Sequence, residues 1–234
     1  MTVGFRVLPR SRKVDSATVQ RYSDLPVANV SDVMSRMTAA GSRLRPLHAC
    51  GRLAGPALTV RVRPGDNLML HMALNLAEPG DVIVVDAGGD LTNAIFGEMM
   101  LRSAQMRGVA GLVIDGAVRD LAVISAGDFP VYAAGVTHRG PYKDGPGEIN
   151  IPVSINGMVV EPGDLVIGDE DGLLCVPFDE LETVLLGAQA KHRAELLSLA
   201  KIEAGTDDRT HWETRLRDLG CEFPITANSQ NQPA

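Results

Sequence analysis

A chain of 234 residues is long enough for one domain with a substantial core and an additional arm. Its 45% hydrophobic and 22% charged residues are ordinary for a soluble globular protein, and a net charge of −7 without a basic patch speaks against nucleic acid and anionic membranes as partners. The three cysteines, Cys50, Cys175 and Cys221, are odd in number and widely spaced, so they offer neither a disulfide framework nor a zinc knuckle and fit a reducing, cytoplasmic compartment. No stretch approaches the roughly 18 consecutive apolar residues of a spanning helix, and the basic first residues lack the apolar segment of a signal peptide.

Residues 1–14 read as an extended arm, the first part of an N-terminal segment 1–24. "DSATVQRYSDLPVANVSDVMSRM" predicts two short helices, with Asp15 or Ser16 capping the first and Asn29 or Ser31 the second. "RLAGPALTVRVRPGD" alternates apolar and polar residues as a strand does and stops at Pro64-Gly65. "NLMLHMALNLA" has helical spacing, and "VIVVD" is an apolar run of strand length covered on both faces. "LTNAIFGEMMLRSAQMRG" is a further helical region, "VAGLVID" a second covered strand, "VRDLAVISAG" a short helix closed by Gly127, and "FPVYAAG" another strand. Strand and helix thus alternate from 81 to 135, the pattern of an α/β layer with parallel strands, whose ligands gather at the C-terminal strand edge.

A Gly- and Pro-rich loop follows, then a hairpin around Asn156-Gly157 and a hairpin-like pair in "LVIGDEDGLLCVP". A long helix runs from Phe178 to about Ala204, and "TDDRTHWETRLRDLG" is a last helix, within a segment 206–222, anchored by Trp212. The polar tail, 223–234, reads as disordered. "EPGDVIVVDAGG" and "EPGDLVIGDEDG" share a turn-then-strand plan, which is read as Pro-Gly-Asp being a good way into a strand.

Chemistry concentrates at Arg119-Asp120, just past the covered strand. Asp120 either caps the next helix, with Arg119 a surface side chain, or supplies a hard oxygen ligand for Mg²⁺ or Mn²⁺ beside a guanidinium suited to a carboxylate or developing enolate oxygen. In "FGEMM", Gly97 permits a close backbone approach and Glu98 to Met100 offer amides at a helix start; alternatively Met99 and Met100 are core residues of a helix interior. The two segments meet only if the helix begins near Gly97. Asp86 with the following Gly88-Gly89 lacks dinucleotide-site spacing and reads as a glycine-lined pocket wall. "GDEDG" is only loosely calcium-like, no His pair has zinc spacing, and no G-x-S-x-G elbow occurs. A Schiff-base reading rests on Lys143 alone, in a loop whose glycines and prolines expose it.

Glu98, twenty residues, then Arg119-Asp120 resembles the acid-x20-Arg-Asp motif of RraA-like proteins, and "PGDVIVVDAGGDLTNAIFGE", "GVAGLVIDGAVRD" and "VEPGDLVIGDEDGLLCVP" look like segments of that family over residues 25–205. The resemblance is to the branch of 4-hydroxy-4-methyl-2-oxoglutarate / 4-carboxy-4-hydroxy-2-oxoadipate aldolases. It implies an α/β/α sandwich of the swivelling phosphohistidine-domain type, a homotrimer or homohexamer, and active sites between subunits. It further implies that Asp120 ligates Mg²⁺ or Mn²⁺, that Arg119 binds the keto oxygen of a 2-oxoacid, and that Gly97, Glu98, Met99 and Met100 hold its carboxylate. Glu98, with Glu195 from a neighbouring subunit, would hold metal-bound water. The activity implied is retro-aldol release of pyruvate, with oxaloacetate decarboxylation on the side. The alternatives are an RraA-type regulator that inhibits an RNA-degrading endonuclease, or a lyase or hydratase on another sugar acid.

Overall fold

The structure, a computed structural model, describes residues 2–223. These form two compact units, one ending at His192 and the other beginning at Arg193. The expected tail lies, from residue 224 on, outside the described residues.

In the first unit the elements run β1 (Phe5–Val7), α1 (Ser16–Ser23), α2 (Val27–Val33), β2 (Arg45–Pro46), β3 (Leu53–Val62), α3 (Leu68–Leu76), β4 (Val82–Asp86), β5 (Ala94–Phe96), α4 (Glu98–Met106), β6 (Gly111–Val118), α5 (Leu121–Ala126) and β7 (Val131–Val136). After these come β8 (Gly147–Ile149), β9 (Val153–Ile155), β10 (Met158–Val160), β11 (Leu165–Asp169) and β12 (Gly172–Val176). A 3₁₀ turn (Phe178–Glu180) leads into α6 (Leu181–Glu203), and α7 (Thr210–Asp218) belongs to the second unit.

Strands β3, β4, β6 and β7 are parallel neighbours, and for β4, β6 and β7 the alternation from 81 to 135 predicts it. Both faces of this sheet are buried, which is why its central strands are continuous apolar runs. Val82, Val84, Val113 and Tyr132 enter one core, shared with Tyr22 of α1, Val30 of α2 and Leu185 of α6. Ile83, Val85, Leu112 and Ile114 enter a second core with Leu70 of α3, Leu101 of α4 and Ile124 of α5. The fold is therefore mixed α/β with helices on both faces of a central sheet. No helix of the described residues is long and apolar enough to cross a membrane.

The turns before β4 and β11 share one construction. Asp81 accepts from the Glu78 N–H at 2.9 Å, Asp164 from the Glu161 N–H at 2.9 Å, and Gly80 and Gly163 both take positive φ. The repeated Pro-Gly-Asp is thus a local solution to strand initiation, used twice. The Asn156-Gly157 hairpin also forms, with φ of 50° and 92° joining β9 to β10.

Several elements depart from the sequence reading. The arm carries β1, paired with β8, and is pinned by a bidentate Arg10–Asp81 ion pair at 2.8 and 3.1 Å. The cap of α2 is neither Asn29 nor Ser31: Pro26 holds that position, and the carboxylate of Asp169 accepts from the Val27 N–H at 2.9 Å. That cap comes from 142 residues away, beyond the reach of local pattern. Strand β3 does not alternate, because Thr59 is fully buried and donates its hydroxyl to the Ile151 carbonyl. Helix α4 begins only at Glu98, after the short strand β5, and β6 runs through Asp115-Gly116 to Val118. Trp212, expected as an anchor, is 58% exposed and meets the His211 ring, 4.6 Å between centroids.

Candidate active site

Three chain segments converge at the C-terminal edge of β6. The Arg119 N–H donates to the Phe96 carbonyl at 2.9 Å, which carries the pairing of β5 and β6 to the last strand residue. Asp120 then takes a left-handed conformation, φ 61° and ψ 39°, one that Asp tolerates better than most side chains. It occupies the cap position of α5 but makes no side-chain bond there. Its Oδ2 instead accepts from the backbone N–H of Glu98 at 2.9 Å, so the carboxylate serves the start of α4 across the site.

Gly97 makes this possible. Its backbone is extended, a conformation open to any residue, but a Cβ there would lie 2.5 Å from Asp120 Oδ2 and 3.0 Å from Arg119 Cγ. Gly97→Ala is expected to lower the melting temperature only modestly, since the atoms it meets belong to the Asp120 and Arg119 side chains rather than to backbone. It should lower turnover roughly tenfold to a hundredfold by displacing both groups. Thermal melts beside steady-state kinetics check this, and unaltered kinetics would show that the close approach has no catalytic consequence.

A cavity of about 210 Å³ opens here, lined by Gly97, Met99, Met100, Arg119 and Asp120 together with Asn67, His71, Pro141 and Lys143. Arg119 is half-exposed, and its ion-pair partner among the described residues is its neighbour Asp120, at 3.8 Å. Met100 is buried in the core, whereas Met99 is 86% exposed at the mouth. The Met100 N–H already bonds the Gly97 carbonyl, and the Glu98 N–H is given to Asp120. The Glu98 side chain does not line the cavity; it reaches Arg102, one turn on, at 3.4 Å. Glu195 lies on α6 in the second unit and is exposed.

Among the described residues no group of three or more His, Cys, Asp or Glu is arranged to hold a metal ion. A closed cage of the structural-zinc kind is therefore not what this site builds. The one carboxylate lining the cavity, Asp120, with its Oδ1 free of protein partners among the described residues, fits Mg²⁺ or Mn²⁺. Such ions keep several waters, need one or two carboxylates, and take further oxygens from the ligand.

Sequence reasoning passed over Asn67 and His71, which reads there only as an unpaired histidine. Helix α3 brings both to the cavity, four residues apart on one helix face. Partial burial and, second, the Lys143 ammonium hold the His71 imidazole below its ordinary pKa. Lys143 reaches the cavity because the buried Asp66 carboxylate accepts from the Asp144 and Gly145 N–H groups at 2.7 and 2.9 Å. Its side chain is exposed rather than desolvated, which does not suit a Schiff-base lysine.

Gly88 and Gly89 do not line this cavity. They turn beside Arg43, whose guanidinium pairs with Asp115 and would collide with a Cβ on Gly89. In "GDEDG", Asp169 accepts from the Val27 and Asp171 N–H groups and so holds backbone.

The chain matches the family model described as RraA-like: Aldolase/RraA over residues 27–175. A protein of Halalkalibacterium halodurans named "Putative 4-hydroxy-4-methyl-2-oxoglutarate aldolase" is 41% identical over 173 residues, 74% of this chain and 82% of that protein. The structure of the RNA-processing inhibitor RraA from Thermus thermophilis is 32% identical with a TM-score of 0.61, covering 66% of this chain and 93% of that one. Streptomyces coelicolor RraAS2, an unusual member of the RNase ES inhibitor RraA family, is 27% identical with a TM-score of 0.72, covering 80% and 98%. The strand-tip Arg119-Asp120 pair, the Gly97 turn packed on it and these matches together make the chain a member of the RraA-like family.

Proposed function

We propose that this protein is a divalent-metal-dependent, class II aldolase that cleaves a 4-hydroxy-2-oxo acid to pyruvate, with oxaloacetate decarboxylation as a side activity. The observation carrying this reading is the convergence of Arg119, Asp120 and Gly97 on one cavity at the ligand edge of a parallel sheet. The name of the Halalkalibacterium halodurans relative supports the substrate class.

When bound, Mg²⁺ or Mn²⁺ held on Asp120 supplies Lewis-acid polarisation of the 2-oxo acid. The rest falls to the chain. Arg119 donates to the keto oxygen, which gains negative charge as the C3–C4 bond breaks, so the contact strengthens in the transition state. The C4 hydroxyl loses its proton to a water, and the C4 oxygen becomes a carbonyl; Glu98 would orient that water only by leaving Arg102 and turning into the cavity, with Glu195 joining it from a neighbouring subunit. The enolate left on C3 is reprotonated to pyruvate. Decarboxylation of oxaloacetate forms the same enolate with carbon dioxide as the leaving group.

The family sandwich of swivelling phosphohistidine type, a trimer or hexamer, and a cytoplasmic setting belong to the same proposal. Exposed Leu196, Leu197, Leu199 and Ile202 on α6 and Leu216 on α7 support assembly. A second reading, inhibition of an RNA-degrading endonuclease, is favoured by the likeness to the Thermus RraA structure.

The test is pyruvate release from 4-hydroxy-4-methyl-2-oxoglutarate and from oxaloacetate with Mg²⁺ or Mn²⁺, then with EDTA. Metal-dependent release is expected from both. Asp120→Ala should lose activity and metal response together, by on the order of a thousandfold, the several kcal/mol a Lewis acid supplies. An active variant indifferent to EDTA would remove Asp120 as ligand. Silence of the wild-type protein on both substrates would turn the assignment to the inhibitor reading or to another sugar acid.

A further inference from the structure

Breaking the C3–C4 bond leaves its electron pair in an enolate, and pyruvate forms only when a proton reaches C3. Few of the residues lining the cavity can deliver one. An arginine does not give up its proton in a protein, which excludes Arg119. The Asp120 carboxylate is engaged with the Glu98 N–H, and the Asn67 amide donates to the Ile95 carbonyl at 3.0 Å. His71 and Lys143 remain.

His71 is the one titratable side chain of α3, whose sequence is LMLHMALNL. Met69, Leu70, Ala73 and Leu74 fix the register of that helix by entering the core, and His71 is left at the cavity. Among the described residues its imidazole has no hydrogen-bond or ion-pair partner. A histidine kept for structure looks different in this fold: His48 places Nδ1 3.3 Å from the Val131 carbonyl and Nε2 3.1 Å from the Gly51 carbonyl. His71 is also solvent-exposed, so it can recover a proton between turnovers.

The surroundings favour passing a proton on. Partial burial and then the neighbouring Lys143 ammonium disfavour the charged ring, so an imidazolium formed there sheds its proton readily. An ammonium holds its proton far more tightly than an imidazolium, which makes a lysine the poorer donor of the two. In a cavity of about 210 Å³, a ligand whose keto oxygen sits on Arg119 also lies against α3.

We propose that His71 is the acid that returns a proton to C3 of the enolate, a catalytic residue for the second half of the reaction. This rests on the aldolase reading, which supplies the enolate. The enolate electron pair forms the C3–H bond, the imidazolium N–H bond breaks, and C2 recovers its keto group beside Arg119. The neutral imidazole then takes a proton from water, into which the C4 hydroxyl has released one, so retro-aldol turnover is balanced in protons.

The test is exchange of the pyruvate methyl protons in D₂O, followed by proton NMR at saturating pyruvate with Mg²⁺. Exchange runs the protonation step in both directions without C–C cleavage. The wild-type protein should exchange, and His71→Asn should do so about a hundredfold more slowly, the lower end of what a general acid contributes. No hydrogen bond is lost, so the variant should melt like the wild type, and KM for both oxo acids should change little beside kcat. Added imidazole should restore part of the exchange in His71→Ala, a rescue that a merely structural side chain would not show. Wild-type exchange in His71→Asn would overturn the proposal and leave the aldolase reading standing. Loss of exchange in Lys143→Met but not in His71→Asn would overturn it too, passing the role to Lys143. A wild-type protein that neither exchanges pyruvate nor releases it from either oxo acid would end the aldolase reading and this proposal with it.

Discussion

Arg119→Ala is expected to lower kcat for pyruvate release by on the order of 10²–10³, about 3–4 kcal/mol of transition-state stabilisation, with KM changed far less. The expectation follows from how Arg119 is held. Its backbone N–H is fixed on the Phe96 carbonyl at 2.9 Å, so the strand end sets where the side chain leaves. The guanidinium itself is half-exposed, 3.8 Å from the Asp120 carboxylate, and packs where a Cβ on Gly140 would come within 3.2 Å. Nothing in that arrangement bears on the two cores, so the variant should fold and melt like the wild type. Arg119→Lys should recover little, because an ammonium lacks the planar fork that can serve the keto oxygen and a neighbouring oxygen together. Steady-state kinetics on both oxo acids provide the measurement. Activity within tenfold of wild type in Arg119→Ala would remove this residue from the chemistry and leave it a binding role.

The parts of this site legible in the sequence are those set by neighbours in the chain. The apolar runs of β4 and β6 read as covered strands because both of their faces are indeed buried, and Arg119-Asp120 reads as their ligand edge for the same reason. The start of α4 was legible only as a condition: the segments meet if the helix begins near Gly97, and β5 enforces this by holding residues 94–96 in the sheet. What pattern could not give is what distant residues supply. Asp169 caps α2 from 142 residues away, and β8 forms by pairing with β1 and β3 rather than from its own short sequence. Asn67 precedes α3 without any local signal, and only the structure shows that Asp66, not Asn67, takes the Leu68 N–H. Gly89 likewise packs against the guanidinium of the Arg43–Asp115 pair, whose members lie 72 residues apart, a contact no local pattern shows.

Asp66→Ala should be the most damaging single change to stability outside the two cores. The carboxylate is fully buried and is held by three backbone donors: Leu68 on Oδ1 at 2.9 Å, and Asp144 and Gly145 on Oδ2 at 2.7 and 2.9 Å. Removing it strands these donors at once, at a cost of about 1–3 kcal/mol for each that water fails to reach. A net loss of about 3–5 kcal/mol is expected, which in a chain of this size lowers the melting temperature by roughly 6–20 °C. The damage should be directional. The loop is also tied by the Tyr142 N–H to the Gly65 carbonyl at 2.9 Å and by the Asn67 N–H to the Tyr142 carbonyl at 3.0 Å, so it should loosen at 144–145 before it detaches. Amide exchange at Asp144 and Gly145 would then rise ahead of exchange in β4 and β6. Because Lys143 lies between these ties, ligand affinity should fall along with stability, whereas Asp66→Asn, which retains one acceptor oxygen, should show a smaller loss of both. A melting temperature within about 2 °C of wild type would mean that water replaces the carboxylate at no cost. The Lys143 side of the cavity would then owe its position to the backbone ties alone.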